Sequence, residues 1–90
     1  VSDRNRIDIP HFKHWLRQQD PETFYQYTAA SDCLVARYMK AHGFTHVDGG
    51  PWEGKGVRAD GVLVYFDIPR PLENAALNGG TYGGALALLP

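Results

Sequence analysis

Asp48-Gly49-Gly50-Pro51-Trp52-Glu53-Gly54-Lys55-Gly56-Val57-Arg58-Ala59-Asp60-Gly61 is the stretch on which the fold of this chain turns. Five glycines and one proline in fourteen residues predict a loop, with at most a poorly formed hairpin inside it. On its N-terminal side, Phe44-Thr45-His46-Val47 is short and β-branched or aromatic, so it is expected as a strand. On its C-terminal side, Val62-Leu63-Val64-Tyr65-Phe66-Asp67 is almost uniformly apolar. That is the pattern of a central strand covered on both faces.

Further upstream, Ser31 or Asp32 is placed to cap a helix that ends at Gly43, a residue suited to a left-handed C-cap. Its apolar stripe is Leu34, Val35, Tyr38, Met39 and Ala41, with Arg37 and Lys40 facing water. Thr23-Phe24-Tyr25-Gln26-Tyr27-Thr28 is β-branched and aromatic and predicts another strand. Phe12, Trp15 and Leu16 fall at helical spacing behind Pro10, which predicts a helix over 10–19 that Asp20-Pro21 stops. Residues 1–7 are polar, without a period, and are expected as a flexible arm.

Downstream, Pro71 opens a short helix over 72–77, and Thr81 is placed to cap a last one over 82–89. Gly83-Gly84 make that last helix poor by propensity, at about 2 kcal/mol relative to alanine, so packing must hold it. No charge occurs after Glu73, and the neutral tail is expected to pack on the core. The whole reads as one α+β domain of 90 residues: a small, mainly antiparallel three-stranded sheet (23–28, 44–47, 62–67) packed by three to four short helices.

Composition narrows the function. A net charge of −1, from nine basic and ten acidic residues without a basic stripe, argues against direct nucleic-acid binding. It equally leaves no strongly acidic surface. The aromatic run at 24–27 lacks the basic surround of a stacking platform. One cysteine forms no internal disulfide and suits a reducing cytoplasm. No stretch reads as a signal peptide or approaches the roughly 18 apolar residues of a membrane span.

Several constellations invite chemistry. Cys33 stands at a helix start, where positive potential favours a thiolate, and His46 and then Asp60 or Asp67 follow it in the order of a cysteine hydrolase. Against that, Asp32 is adjacent and opposes ionisation, and His46 is only thirteen residues on. The expected role of Cys33 is therefore a small buried hydrophobe. The histidines form two local pairs, His11 with His14 and His42 with His46, and no helical His-Glu-x-x-His signature is present, so neither a metal nor a cofactor is expected. Gly49-Gly50 and Gly54-Lys55-Gly56 have the wrong spacing for a phosphate loop and no Ser or Thr after the lysine. Trp52, Glu53, Lys55 and Arg58 on a glycine-rich segment combine the residue types that anchor protein interfaces, and they are the candidate partner-binding site.

The Trp-Leu helix, the Tyr25-x-Tyr27-Thr28 segment, Asp32-Cys33-Leu34-Val35-Ala36-Arg37-Tyr38-Met39-Lys40-Ala41-His42-Gly43 and Thr81-Tyr82-Gly83-Gly84-Ala85-Leu86-Ala87-Leu88-Leu89 together resemble small uncharacterised proteins encoded by phages and prophages of proteobacteria. The likeness covers residues 12–43 and 81–89. It implies a non-enzymatic protein of the bacterial cytoplasm, a monomer or weak homo-oligomer, that binds and inhibits a host protein complex. A CRISPR effector is one such target, which would make it an anti-CRISPR. Two other expectations remain: a small cysteine hydrolase using Cys33 and His46, and an assembly subunit using the neutral tail.

Overall fold

The computed structural model describes residues 2–90, in which helices and strands alternate irregularly. They are β1 (Ser2–Arg6), α1 (Ile9–Arg17), α2 (Leu34–Ala41), β2 (Thr45–Gly49), β3 (Glu53–Val57), β4 (Leu63–Asp67), α3 (Arg70–Gly79) and α4 (Tyr82–Leu88). The class is α+β, as expected. The sheet is four-stranded and mixed, in the order β1-β4-β3-β2, rather than three-stranded.

The added strands come from the segment expected as a loop with at most a poorly formed hairpin and from the segment expected as an arm. β3 lies inside the glycine-rich stretch and pairs antiparallel with β4, Gly54 opposite Phe66 and Gly56 opposite Val64. Its glycines are what α2 requires, because Met39 and Val35 lie directly over Gly54. β1 is the segment read as an arm. It pairs parallel with β4, and the backbone N–H of Ile7 continues the ladder to the Asp67 carbonyl at 3.1 Å. A charged, polar strand of this kind belongs at an edge, where it discourages further pairing.

The expected strand at 23–28 is absent. Only Phe24 forms a bridge, to Thr81, and the carbonyls of Pro21 and Thr23 accept from the N–H groups of Gly83 and Tyr82 at 2.9 and 3.0 Å. The segment thereby satisfies free amides in the first turn of α4 instead of joining the sheet. Its aromatic character is used by Tyr25, which is buried and donates its hydroxyl to the Ala76 carbonyl at 2.6 Å.

Helix ends follow local chemistry. Asp8 caps α1, its carboxylate accepting from the His11 N–H at 3.0 Å. Thr81 caps α4 as expected, accepting from the Gly84 N–H at 3.0 Å. The cap of α2 is Cys33, without a side-chain hydrogen bond, and not Ser31 or Asp32. The Asp32 carboxylate turns to Arg37 instead, at 3.1 Å. Gly43 takes the left-handed conformation after α2, with φ of 90°. Within α2 it is Ala36, not Ala41, that is buried.

One core joins all the helices to one face of the sheet. Phe12, Leu16, Leu34, Met39, Leu72 and Val64 are its largest fully buried side chains, each contributing about 1.5–3 kcal/mol by leaving water. The neutral tail packs through Ala75, Ala76, Tyr82, Ala85 and Leu89, leaving Leu77 and Leu88 exposed. β4 is interior in the sheet, but only its Val64 and Phe66 face meets the helices. Leu63, Tyr65 and Asp67 share the opposite, open face with Glu53, Lys55 and Val57. No helix of the described residues is long and apolar enough to cross a membrane.

Candidate functional site

Gly50-Pro51-Trp52-Glu53 forms the β2–β3 turn, closed by a 2.9 Å hydrogen bond from the Gly50 N–H to the Glu53 carbonyl. Trp52 sits at the tip with 62% of its surface exposed, so it does not fold back over the core. Its backbone is nonetheless fixed, because its carbonyl accepts from the Ile68 N–H at 2.9 Å. The result is a large apolar side chain held in water by an ordered main chain.

Glu53 and Lys55 follow on alternate positions of β3, both on the open face. Arg4 of β1 reaches across β4 on this face to pair with Glu53 at 2.7 Å and with Asp67. These two carboxylates hold the Arg4 guanidinium above its ordinary pKa. Lys55 lies opposite Tyr65 on one side and Asp48 on the other. The face therefore mixes Arg4 and Lys55 with Asp48, Glu53 and Asp67.

Arg58 does not join this group. It stands past the far end of β3, six residues from Trp52 and so about 20 Å away along an extended chain. There it forms a two-pronged pair with Asp60, at 3.1 and 2.8 Å, inside the β3–β4 hairpin. That pairing holds the Asp60 carboxyl below its usual range. Of the four sequence candidates, Trp52, Glu53 and Lys55 share one region and Arg58 belongs to another. Arg4, Tyr65 and Asp67 were missed. The period-two alternation of Glu53, Lys55 and Val57 with Gly54 and Gly56 was the signal that β3 has an open face.

Cys33 lines a cavity of about 300 Å³ together with Tyr27, Gly49, Pro51, Glu73 and Ala76. Its thiol is buried and contacts the Ala30 carbonyl at 4.0 Å. The part of β2 against the sulfur is Gly49. His46 lies three residues earlier on that strand, about 10 Å along it. Its ring is exposed, with Nδ1 against the Thr45 hydroxyl at 3.3 Å and φ at 51°. The geometry thus gives Cys33 and His46 separate partners.

The histidines pair differently in space than in sequence. His11 and His42, from α1 and the end of α2, have ring centres 5.2 Å apart, while His14 contacts Gln18. Among the described residues no group of three or more His, Cys, Asp or Glu side chains converges on a point. No protein-family model matches the chain, and no curated protein or solved structure shows significant similarity to it.

Proposed function

We propose that this chain is a non-enzymatic binding protein of phage type that occupies a surface of a host protein complex in the bacterial cytoplasm, with a CRISPR effector as the target to test first. The observation that carries the binding reading is Trp52, exposed at 62% on a turn whose backbone is hydrogen-bonded at both Gly50 and Ile68. Tryptophan is among the residues that most often dominate binding energy, and an anchor already held in place loses little entropy on docking. The open face beside it, with Arg4, Lys55, Glu53 and Asp67, supplies a rim of mixed charge that favours a protein partner over a polyanion. The resemblance to small phage-encoded proteins supports the inhibitory role and the choice of target.

The test is phage plating on cells that carry an active CRISPR effector, with and without the protein. Wild-type protein restores plating, and Trp52→Ala reduces that effect at least tenfold at equal protein level. Arg58→Ala reports on the other end of β3, and the double variant tests the two together. A folded W52A/R58A variant with full inhibition removes the proposed surface. Unchanged interference with wild-type protein present removes the CRISPR effector as target.

A further inference from the structure

His42 is the C-cap residue of α2, and its Nδ1 lies 2.8 Å from the carbonyl oxygen of Tyr38, one turn back. A carbonyl only accepts, so Nδ1 carries the proton and the neutral ring presents its lone pair at Nε2. His11 is in the first turn of α1, its main chain fixed by the Asp8 cap. Its Nδ1 lies 2.6 Å from the Tyr38 hydroxyl. The phenol oxygen can accept from Nδ1–H, and in that tautomer the second lone pair is left at His11 Nε2. One tyrosine thus orients both rings, and among the described residues neither Nε2 has a hydrogen-bond partner.

The ring centres are 5.2 Å apart with planes tilted by 57°. Two imidazoles bound through nitrogen at about 2.0–2.1 Å to one tetrahedral ion hold their ring centres roughly 5 Å apart. Both residues are exposed, and a cavity of about 380 Å³ opens beside His42, bordered by Phe44, Ala59 and Asp60. Metal-binding histidines almost always have their other ring nitrogen hydrogen-bonded, which fixes the tautomer and the ring direction. Tyr38 supplies that bond to each ring.

We propose that His11 and His42 form a two-imidazole site for a borderline divalent transition metal, of which zinc and nickel are the probes. Imidazole nitrogen suits these ions. The protein contributes two ligands, and water takes the open positions. The bound ion ties the first turn of α1 to the end of α2. This site is independent of the partner surface, which lies on the other face of the sheet.

The experiment is calorimetric titration of the whole protein with zinc chloride, then nickel chloride, in a non-coordinating buffer, paired with thermal unfolding. One equivalent binds saturably. At a few-fold excess over the dissociation constant the unfolding midpoint rises by about 4–8 °C. His11→Ala and His42→Ala each weaken binding at least tenfold, whereas His14→Ala and His46→Ala leave it unchanged. Tyr38→Phe removes only the hydroxyl that orients His11 and weakens binding about 10–100-fold. In the unaltered protein, the ring-proton resonances of His11 and His42 shift with zinc while those of His14 and His46 stay, a readout that needs no variant to fold. Absence of saturable binding, or binding that survives both His11→Ala and His42→Ala, overturns the site.

Discussion

Met39 lies against the bare backbone of Gly56: a Cβ added there would stand 3.1 Å from the methionine methyl and 3.1 Å from Cβ of Phe44. α2 approaches β3 so closely because the strand offers no side chains on that face. Gly54 has the same neighbour, with Met39 Sδ at 3.3 Å from the corresponding position.

The two glycines differ in what could yield. At Gly54 the tight neighbour is the flexible end of methionine, which can move. At Gly56 it includes Cβ of Phe44, which is fixed to the main chain. Gly56→Ala is therefore expected to destabilise the fold by about 1–3 kcal/mol through overpacking, and Gly54→Ala by less than about 0.5 kcal/mol, aided by the lower entropy of its unfolded chain. Urea unfolding of both variants checks this. Equal losses at the two positions would refute the argument from Phe44.

That contact also explains why β3 was illegible. Sheet strands are recognised by what their side chains alternate, and Gly54 and Gly56 present nothing on the inner face. β1 escaped notice for the opposite reason: its side chains are all polar, and its pairing to β4 joins residues about sixty positions apart. Phe24-Tyr25-Gln26-Tyr27 has strand composition, but its main chain is engaged elsewhere: the Phe24 carbonyl accepts from Arg37 and the Gln26 carbonyl from the Ala29 N–H, while Thr23 and Pro21 just before it serve α4. α1 and α2 were readable because their apolar spacing reports a local geometry, β4 because its run is almost uniformly apolar, and α4 because Thr81 marks its cap. Of the candidate surface, Trp52, Glu53 and Lys55 are contiguous and were found. Arg4 and Asp67 complete it only through pairing across the sheet, and His11 meets His42 only through the packing of α1 on α2, where the Tyr38 side chain of α2 reaches His11.

The burial of Cys33 has a direct genetic test. A Cβ on Gly49 would sit 2.6 Å from the sulfur, with the next neighbour, the Ala30 carbonyl, at an ordinary 3.5 Å. Gly49→Ala is expected to cost about 1–3 kcal/mol alone, and Cys33→Ala to restore about 1–2 kcal/mol of that loss in a double-mutant cycle. In the unmodified protein, iodoacetamide should label Cys33 slowly until denaturant is added. Additive losses, or rapid labelling of native protein, would show that the thiol is not packed against β2.

Arg37 fastens three segments. Its guanidinium donates to the Asp32 carboxylate, to the Phe24 carbonyl at 3.0 Å and to the Tyr82 hydroxyl at 3.2 Å. Arg37→Met is expected to cost about 1–2 kcal/mol, because these acceptors then compete for water alone. The Arg37 hydrogen bonds hold the Asp32 carboxyl below its ordinary value of 3.8. A carboxylate with a lowered folded pKa contributes stability that is present above the ordinary value and lost as pH falls below it. The stability gap between wild type and Arg37→Met should therefore be constant at neutral pH and narrow below about pH 4, as measured by urea midpoints. A gap that widens in acid would contradict the pairing.

The Tyr27 hydroxyl donates to Glu73 Oε1 at the wall of the 300 Å³ cavity. That hydrogen bond to the Glu73 carboxylate, and secondarily burial, pushes the phenol from 10.0 up to about 12. For a group whose folded pKa is raised, the associated stability is whole below the unfolded value and disappears as pH rises through the folded one. The pair should therefore stabilise the protein fully up to about pH 10 and lose its effect between about pH 10 and 12. The difference in phenolate absorbance between wild type and Tyr27→Phe isolates this residue from the other four tyrosines. Its midpoint is expected near 12 in the wild-type background and back toward 10 in a Glu73→Ala background, since the alanine neither accepts the hydroxyl nor opposes the phenolate charge. Over the same range the stability lost in Glu73→Ala relative to wild type should shrink toward zero. An unmoved midpoint would mean that burial, and not the carboxylate, holds the proton.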